Sequence, residues 1–243
     1  MVFHDPYLTL PPAFTGRVVP MPDDAFAHAC RIAGPYTTGT LVLVARDDLI
    51  DLAVVLAPEE PLSSARRAFF AGMVALAEAI GAQAPPELPV VIAWPDTLLF
   101  NGARLGGGRL GWPADCAEDA VPEWLVFSGT LIASKGDAGD PGLTPDSTSL
   151  DEEGFAADGH AEIVESFARN LMKAFEVWEH DGFRVLAERY LAHVPLGADE
   201  EHQRIEANGD GLVAMADTVR RLEFLPALRT VAWLDPATGK PRL

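Results

Sequence analysis

Apolar residues follow two different spacings along this chain, and segments of the two kinds alternate. Runs of apolar and β-branched residues, typical of strands, cover residues 40–45, 51–57, 88–92, 98–100 and 124–132. Apolar positions every three or four residues, typical of helices that face a core, cover residues 24–32, 63–80, 160–178 and 183–193. The pattern therefore predicts a chain that mixes strands and helices.

Proline, glycine and serine mark where these elements begin and end. The Pro-rich first twenty-odd residues predict an extended arm, and Gly34-Pro35 ends the first helix. Ser63-Ser64 predicts the N-cap of the second helix, and Pro85-Pro86 stops it. After Pro195 the pattern changes to short strands at 211–215 and 218–225, preceded by an Asn208-Gly209 turn. We expect a main domain over residues 1–195 and a small β unit over 196–243.

Composition and charge exclude several classes of protein. The chain has 243 residues, of which 49% are hydrophobic and 22% charged, values typical of a globular protein. Its 36 acidic and 18 basic residues give a net charge of −18, which repels nucleic acid. An anionic ligand would need local cations, and only three lysines are present. Arg46, Arg104 and Arg109 are the candidates.

The two cysteines, Cys30 and Cys116, lie far apart and lack the spacing of a metal site, so no metal is expected. Two widely separated cysteines are typical of a protein from a reducing compartment, where thiols stay free. The N-terminus lacks a basic start followed by an apolar core, and no apolar run reaches membrane length. We expect a cytoplasmic protein with neither membrane nor nucleic acid as a partner.

The segment from Trp94 to Gly108 carries the most specific pattern. Trp94-Pro95-Asp96-Thr97 leads into a short strand that turns at Asn101-Gly102, a strong signal for a β-hairpin. Arg104 and Gly106-Gly107-Gly108 then fall on the return strand. Glycines let a ligand touch backbone amides, and an arginine can neutralise a carboxylate or a phosphate. The hairpin is therefore a candidate ligand platform.

Each of these residues also has a structural interpretation. Trp94 could pack beside a ligand or belong to the core. The glycines could form a bulge or a close packing contact. Arg109 could extend a cationic rim or pair with an acid such as Asp115 at the surface.

The order of elements and the hairpin motif resemble the biotin and lipoate protein ligases. Their Lys-Trp-Pro-Asn-Asp segment matches Ala93-Trp94-Pro95-Asp96-Thr97, and their Lys-x-x-Gly segment matches Arg104-Leu105-Gly106-Gly107. Thr148-Ser149-Leu150 is similar to the family's Thr-Ser-Leu element, and Asn208-Gly209 falls near the start of its SH3-like C-terminal domain.

The resemblance implies an α+β fold of the class II aminoacyl-tRNA synthetase and biotin synthetase type, with a mostly antiparallel sheet flanked by helices. It implies ATP with Mg²⁺ and an acid such as biotin, lipoate or a medium-chain acid, activated as an acyl-adenylate. The acyl group would pass to a lysine of an acceptor, an acyl-carrier domain. Arg104 would be catalytic. Binding residues would be Gly39, Trp94, Pro95, Asp96, Gly106, Gly107 and Gly108.

The chain departs from the family pattern at several positions. The family's adenylate-covering Gly-Arg-Gly-Arg run corresponds here to Thr37-Thr38-Gly39-Thr40, where only Gly39 matches, and Ala93 replaces a lysine. These differences motivate a second hypothesis, a catalytically inactive module that binds a small acid or an acylated carrier. Transfer through Cys116 is a third, but no histidine lies near it in the sequence to act as a base.

Overall fold

The computed structural model describes residues 8–86, 88–136, 141–156 and 159–243. The strands are β1 Thr15–Pro20, β2 Thr40–Ala45, β3 Leu49–Leu56, β4 Val90–Ala93, β5 Thr97–Phe100, β6 Ala103–Gly111, β7 Leu125–Ile132, β8 Glu200–Ile205, β9 Gly211–Met215 and β10 Thr218–Leu222. The helices are α1 Ala25–Ile32, α2 Leu62–Ala65, α3 Ala68–Gln83, α4 Gly159–Asp181, α5 Phe183–Leu191 and α6 Phe224–Arg229.

Seven strands form one mixed sheet in the order β1-β2-β3-β7-β6-β5-β4, and β8, β9 and β10 form a second, three-stranded sheet. In the large sheet β1 runs parallel to β2, and every other neighbouring pair is antiparallel. This is the predicted combination of a mostly antiparallel sheet, flanking helices and a small C-terminal β unit.

The two faces of the large sheet are covered differently. On one face, α3 and α4 bury an aromatic core that includes Phe69, Phe127 and Phe167. On the other face, Ala25 and Ala29 of α1 pack on a smaller cluster of valines and alanines from β1, β2, β3 and β7. A short α1 cannot cover seven strands, so the rest of this face, over β5 and β6, must be covered by another part of the chain.

The predicted hairpin is present, with its turn where the sequence placed it. Asn101 and Gly102 have φ values of 51° and 82°, the positive angles that an Asn-Gly hairpin turn requires. Arg104 and the three glycines lie on β6.

Three sequence predictions need correction. The N-terminal arm contains a strand, β1, that joins the sheet. The predicted helix over 63–80 is divided into α2 and α3, and Ser64 does not cap it: its hydroxyl donates to the Pro61 carbonyl. The strand predicted over 218–225 ends at Leu222, because the Asp210 carboxylate accepts the Phe224 backbone N–H and α6 begins there. Strand β8 was not predicted.

Cys30 and Cys116 are both free thiols. Among the described residues, none of the helices has the length and apolar character needed to cross a membrane, and no group of three or more His, Cys, Asp or Glu residues is placed to hold a metal ion.

Candidate functional site

Four strands place a row of polar positions on the α1 side of the large sheet. Thr97 of β5 pairs with Gly107 of β6, Gly107 pairs with Thr130 of β7, and Thr130 pairs with Asp51 of β3. Directly paired residues point to the same face of a sheet. We call these four positions the polar row; its three side chains are buried. Ser128, also buried, has no hydrogen-bond partner for its hydroxyl among the described residues.

Asp51 anchors one end of the polar row. Its carboxylate accepts the Ala25 backbone N–H at 3.1 Å and the Thr130 hydroxyl at 3.3 Å. Burial raises the pKa of Asp51 to about 6, and the nearby charge of Asp24 acts in the same direction. The N-terminal end of α1 therefore rests on a buried carboxyl group that changes charge just below neutral pH.

Asp96 lies at the other end of the row and is 1% exposed. Its backbone carbonyl accepts the Gly108 N–H at 2.8 Å, and its carboxylate accepts the Thr97 hydroxyl at 2.9 Å. The same carboxylate accepts the backbone N–H of Ala232 at 3.2 Å. Burial raises the pKa of Asp96 to about 6.

The C-terminal segment covers the face at Gly107. A Cβ atom at Gly107 would overlap both the Asp96 carbonyl oxygen and the indole of Trp233. Trp233 is fully buried, and its Nε1–H donates to the Gly108 carbonyl at 3.2 Å. Glycine is therefore required at 107, because the indole occupies the volume that a side chain would fill.

Arg104 stands at the edge of this covered region. Its guanidinium Nη1 donates to the Arg242 carbonyl at 2.8 Å. Its backbone N–H donates to the Asp146 carbonyl at 3.0 Å, and its carbonyl accepts the Thr148 N–H at 2.8 Å. The Thr148-Ser149-Leu150 element thus begins beside the cation that was the predicted catalytic residue.

Lys135 is connected to Arg104 through Ser147, and Lys240 shares a cavity with Lys135. Lys135 donates to the Ser147 carbonyl at 2.8 Å and forms an ion pair with Glu152 at 2.8 Å. The backbone of Ser147 in turn forms a β-bridge with Arg104. Lys135 and Lys240 both line a cavity of about 190 Å³. We call Arg104, Lys135 and Lys240 the cationic edge. In a chain with three lysines and a net charge of −18, two of the lysines lie here.

The structure brings some of the predicted site residues together. Gly106 and Gly107 lie on β6 beside Thr130, and Asp96 contacts Gly107 and Gly108. Gly108 points to the opposite face, towards Met73 and Phe127. The Pro95 carbonyl accepts the Tyr190 hydroxyl at 2.8 Å.

Trp94 and Gly39 lie elsewhere. The Trp94 ring packs against Phe70 and Tyr190 on the α3 side of the sheet, as in its core interpretation. Gly39 precedes β2 and lies at the end of the sheet opposite Gly106, in a groove of about 610 Å³. That groove is lined by apolar residues and by four glutamates, and the described part of its lining contains neither arginine nor lysine.

The other candidate cations are already paired. Arg46 forms a two-point ion pair with Asp48. Arg109 binds Asp24 at 3.1 Å and stacks on Phe26, so it neither pairs with Asp115 nor points to solvent. Arg104 differs from both because its guanidinium forms no ion pair with a described residue.

Sequence reasoning missed Asp51, Thr130, Lys135, Lys240 and Trp233. The scarcity of lysine was a usable signal for Lys135 and Lys240, since two of three lysines converge. No local pattern identified Asp51 or Trp233.

Comparisons with known proteins agree with this fold. The model of the Biotin/lipoate A/B protein ligase family matches residues 10–192. The biotin–acetyl-CoA-carboxylase ligase of Paracoccus denitrificans is 30% identical over 145 residues, which cover 57% of this chain. The match spans only 58% of that relative's length.

Two solved structures resemble the chain over most of its length. A biotin protein ligase-like protein of unknown function from Silicibacter sp. TM1040 has a TM-score of 0.73 at 27% identity, covering 91% of this chain and 99% of that one. The Aquifex aeolicus biotin protein ligase in complex with biotin and ATP has a TM-score of 0.62 at 11% identity, covering 86% and 96%. The predicted biotin synthetase-like fold is confirmed. Because the family model covers well over half of its residues, the chain belongs to the Biotin/lipoate A/B protein ligase family.

Proposed function

We propose that this protein activates a small carboxylic acid with ATP and transfers the acyl group to a lysine of an acceptor protein. Biotin, lipoate and medium-chain acids are the candidate substrates. The observation that carries the proposal is the cationic edge: Lys135 donates to the carbonyl of Ser147, which forms a β-bridge with Arg104, and Lys135 and Lys240 line one cavity. These cations lie in a chain of net charge −18.

The two parts of the site suit the two parts of such a substrate. A carboxylate and the α-phosphate of ATP both need positive charge, which Arg104 supplies as a two-point donor. Polar groups on the body of the acid need hydrogen-bond partners, which the buried hydroxyls of Thr97, Thr130 and Ser128 supply. Gly107 permits close approach to the β6 backbone.

The chemistry has two steps in this proposal. A carboxylate oxygen of the acid attacks the α-phosphorus of MgATP, and the bond to the leaving pyrophosphate breaks. The lysine amine of the acceptor, an acyl-carrier domain, then attacks the acyl carbon and AMP leaves. Arg104 stabilises the negative charge that develops on the phosphate and carbonyl oxygens. Preorganised cations of this kind are typically worth a hundredfold or more in rate.

Pyrophosphate–ATP exchange tests the activation step. We expect exchange with at least one of biotin, lipoate and octanoate, and a loss of roughly a hundredfold in Arg104→Ala. Arg17→Ala is the matched control, because Arg17 is exposed on the edge strand β1 and far from the site in the sheet order. Absence of exchange with every acid, beside an active biotin ligase assayed in parallel, would refute the proposal.

The fully buried Trp233 and the replacement of the family's lysine by Ala93 favour a second function, an inactive binding module. Such a module would bind an acid or an acylated carrier without ATP. Thermal shift separates the two: stabilisation by the acid alone, with no further effect of MgATP, supports the binding module. Stabilisation that requires MgATP and is lost in Arg104→Ala supports the ligase.

A further inference from the structure

The last residues of the chain form a self-contained unit on the sheet. We call residues 232–243 the strap. Within it, the Arg242 N–H donates to the Trp233 carbonyl and the Asp235 N–H donates to the Lys240 carbonyl, each at 2.8 Å. Leu234 and Pro241 form a β-bridge between the two arms. The strap therefore forms some of its backbone hydrogen bonds within itself, and it adds no strand to the large sheet.

Among the residues that the structure describes, three direct hydrogen bonds attach the strap to the sheet face. The Ala232 N–H donates to the Asp96 carboxylate at 3.2 Å, and the Trp233 indole N–H donates to the Gly108 carbonyl at 3.2 Å. The Arg104 guanidinium donates to the Arg242 carbonyl at 2.8 Å. All three partners on the sheet side belong to the hairpin that carries the candidate site.

Two of these contacts, those of Trp233 and Arg242, use features of the hairpin that an acid substrate would need. The Trp233 indole fills the space above Gly107, and the Arg242 carbonyl takes the donor of Arg104 that a carboxylate would otherwise receive. A neutral carbonyl is a weaker partner for a guanidinium than a carboxylate is, because a carboxylate brings an opposite charge and can accept two parallel N–H bonds from the guanidinium.

We propose that the strap is a built-in competitor of the substrate: its closed position occupies the acid site, and the acid binds only after Trp233 has left Gly107. This inference rests on the proposed function and names the regulation of that same site. A ligand whose binding-competent form is a minor population binds more weakly in proportion to that population. If the strap is displaced from Gly107 in about a tenth or less of the molecules, a variant in which it is always displaced binds the acid at least tenfold more tightly.

Calorimetric titration with biotin, lipoate and octanoate tests the competition in the full-length protein. Trp233→Ala removes the indole, and Ala232→Pro keeps the indole but removes the N–H that Asp96 accepts. Trp112→Ala is the matched control, since Trp112 is half-buried beside Arg66 and away from the strap. We expect at least tenfold tighter binding of one acid in both strap variants and unchanged binding in the control.

Hydrogen exchange at the Trp233 indole N–H and the Ala232 amide reports opening without any ligand. We expect exchange by a local opening that is much faster than that of β6 and β7 amides. Exchange of these two groups only through global unfolding would overturn the proposal, as would equal affinity of the wild type and both strap variants. That second result would leave the proposed function standing. If no acid binds to any of these proteins, with or without MgATP, the proposed function fails, and the competition between strap and acid fails with it.

Discussion

The indole N–H of Trp233 donates to the backbone carbonyl of Gly108 across 125 positions of sequence, and this bond fixes the C-terminal segment on the face of β6. The neighbouring Gly107 has no space for even a methyl group, because the same indole and the Asp96 carbonyl oxygen already occupy it. Of the three consecutive glycines in the hairpin, Gly107 is the one whose missing side chain leaves room for the chain's own tryptophan.

Gly107→Ala should therefore lower the free energy of unfolding. Overpacking of a tight site typically costs ~1–3 kcal/mol, and here one of the two obstacles is backbone that cannot rotate away. Gly34→Ala is the control, because no atom lies within 4 Å of the added methyl group, and a change of less than about 0.5 kcal/mol is expected there. Urea denaturation of both variants measures the difference, and equal stabilities would contradict the described packing at Gly107.

Asp51 should make stability depend on pH. Burial raises its pKa to about 6, above the unfolded value near 3.9, so the folded protein holds the proton more tightly. Its contribution to the free energy of unfolding is then lost as pH rises from about 4 through 6, by about 3 kcal/mol. Asp51→Asn lacks this titration, so its stability relative to wild type should improve by that amount between pH 4 and pH 7.5. A constant difference across this range would contradict the burial of a titrating carboxyl group.

The hairpin was predictable because its signals are local. Asn101-Gly102 specifies a turn by the positive φ that both positions adopt, and Arg104 follows within two residues. The break between α2 and α3 was missed because Arg66 and Arg67, which lie at it, are good helix formers and keep helical backbone angles. Strand β8 was missed because its polar sequence lacks a buried face.

The polar row could not be read from the sequence. Asp51 and Thr130 are 79 positions apart, and they meet only because β3 and β7 pair in one particular register. A shift of one strand by one residue would move its side chain to the other face and separate the two groups. The contact of Trp233 with β6 also joins residues far apart in the sequence, and nothing near Trp233 in the sequence indicates it. The resemblance to the ligases indicated the fold and the hairpin, but not which side chain covers the hairpin's face.

Asp96 should set a pH dependence of acid binding, provided that the proposed function is correct. Its carboxyl group, with a pKa of about 6, is neutral at pH 5 and repels an anionic ligand at pH 8. Asp96→Asn removes that charge and places an asparagine where the ligases have one. We expect this variant to bind the acid roughly tenfold tighter than wild type at pH 8 and equally at pH 5.

Asp115→Asn controls for the general loss of one negative charge, because Asp115 is exposed. Titration calorimetry at the two pH values gives the comparison. A gain at pH 8 that Asp115→Asn reproduces would show that net charge, and not Asp96 itself, weakens binding.

Tyr190 should stabilise the turn from which Asp96 projects. Its hydroxyl is fully buried and donates to the Pro95 carbonyl at 2.8 Å. Tyr190→Phe leaves that buried carbonyl without its donor, at a cost of ~1–3 kcal/mol. Tyr36→Phe makes the same chemical change at a residue that is 99% exposed, so it should leave stability unchanged. The amide of Gly108, which donates to the Asp96 carbonyl, should exchange faster in Tyr190→Phe alone. If the Gly108 amide exchange and the free energy of unfolding of Tyr190→Phe match those of wild type, the hydroxyl does not hold the turn. The geometry of the site then depends on the packing of the surrounding aromatic rings instead.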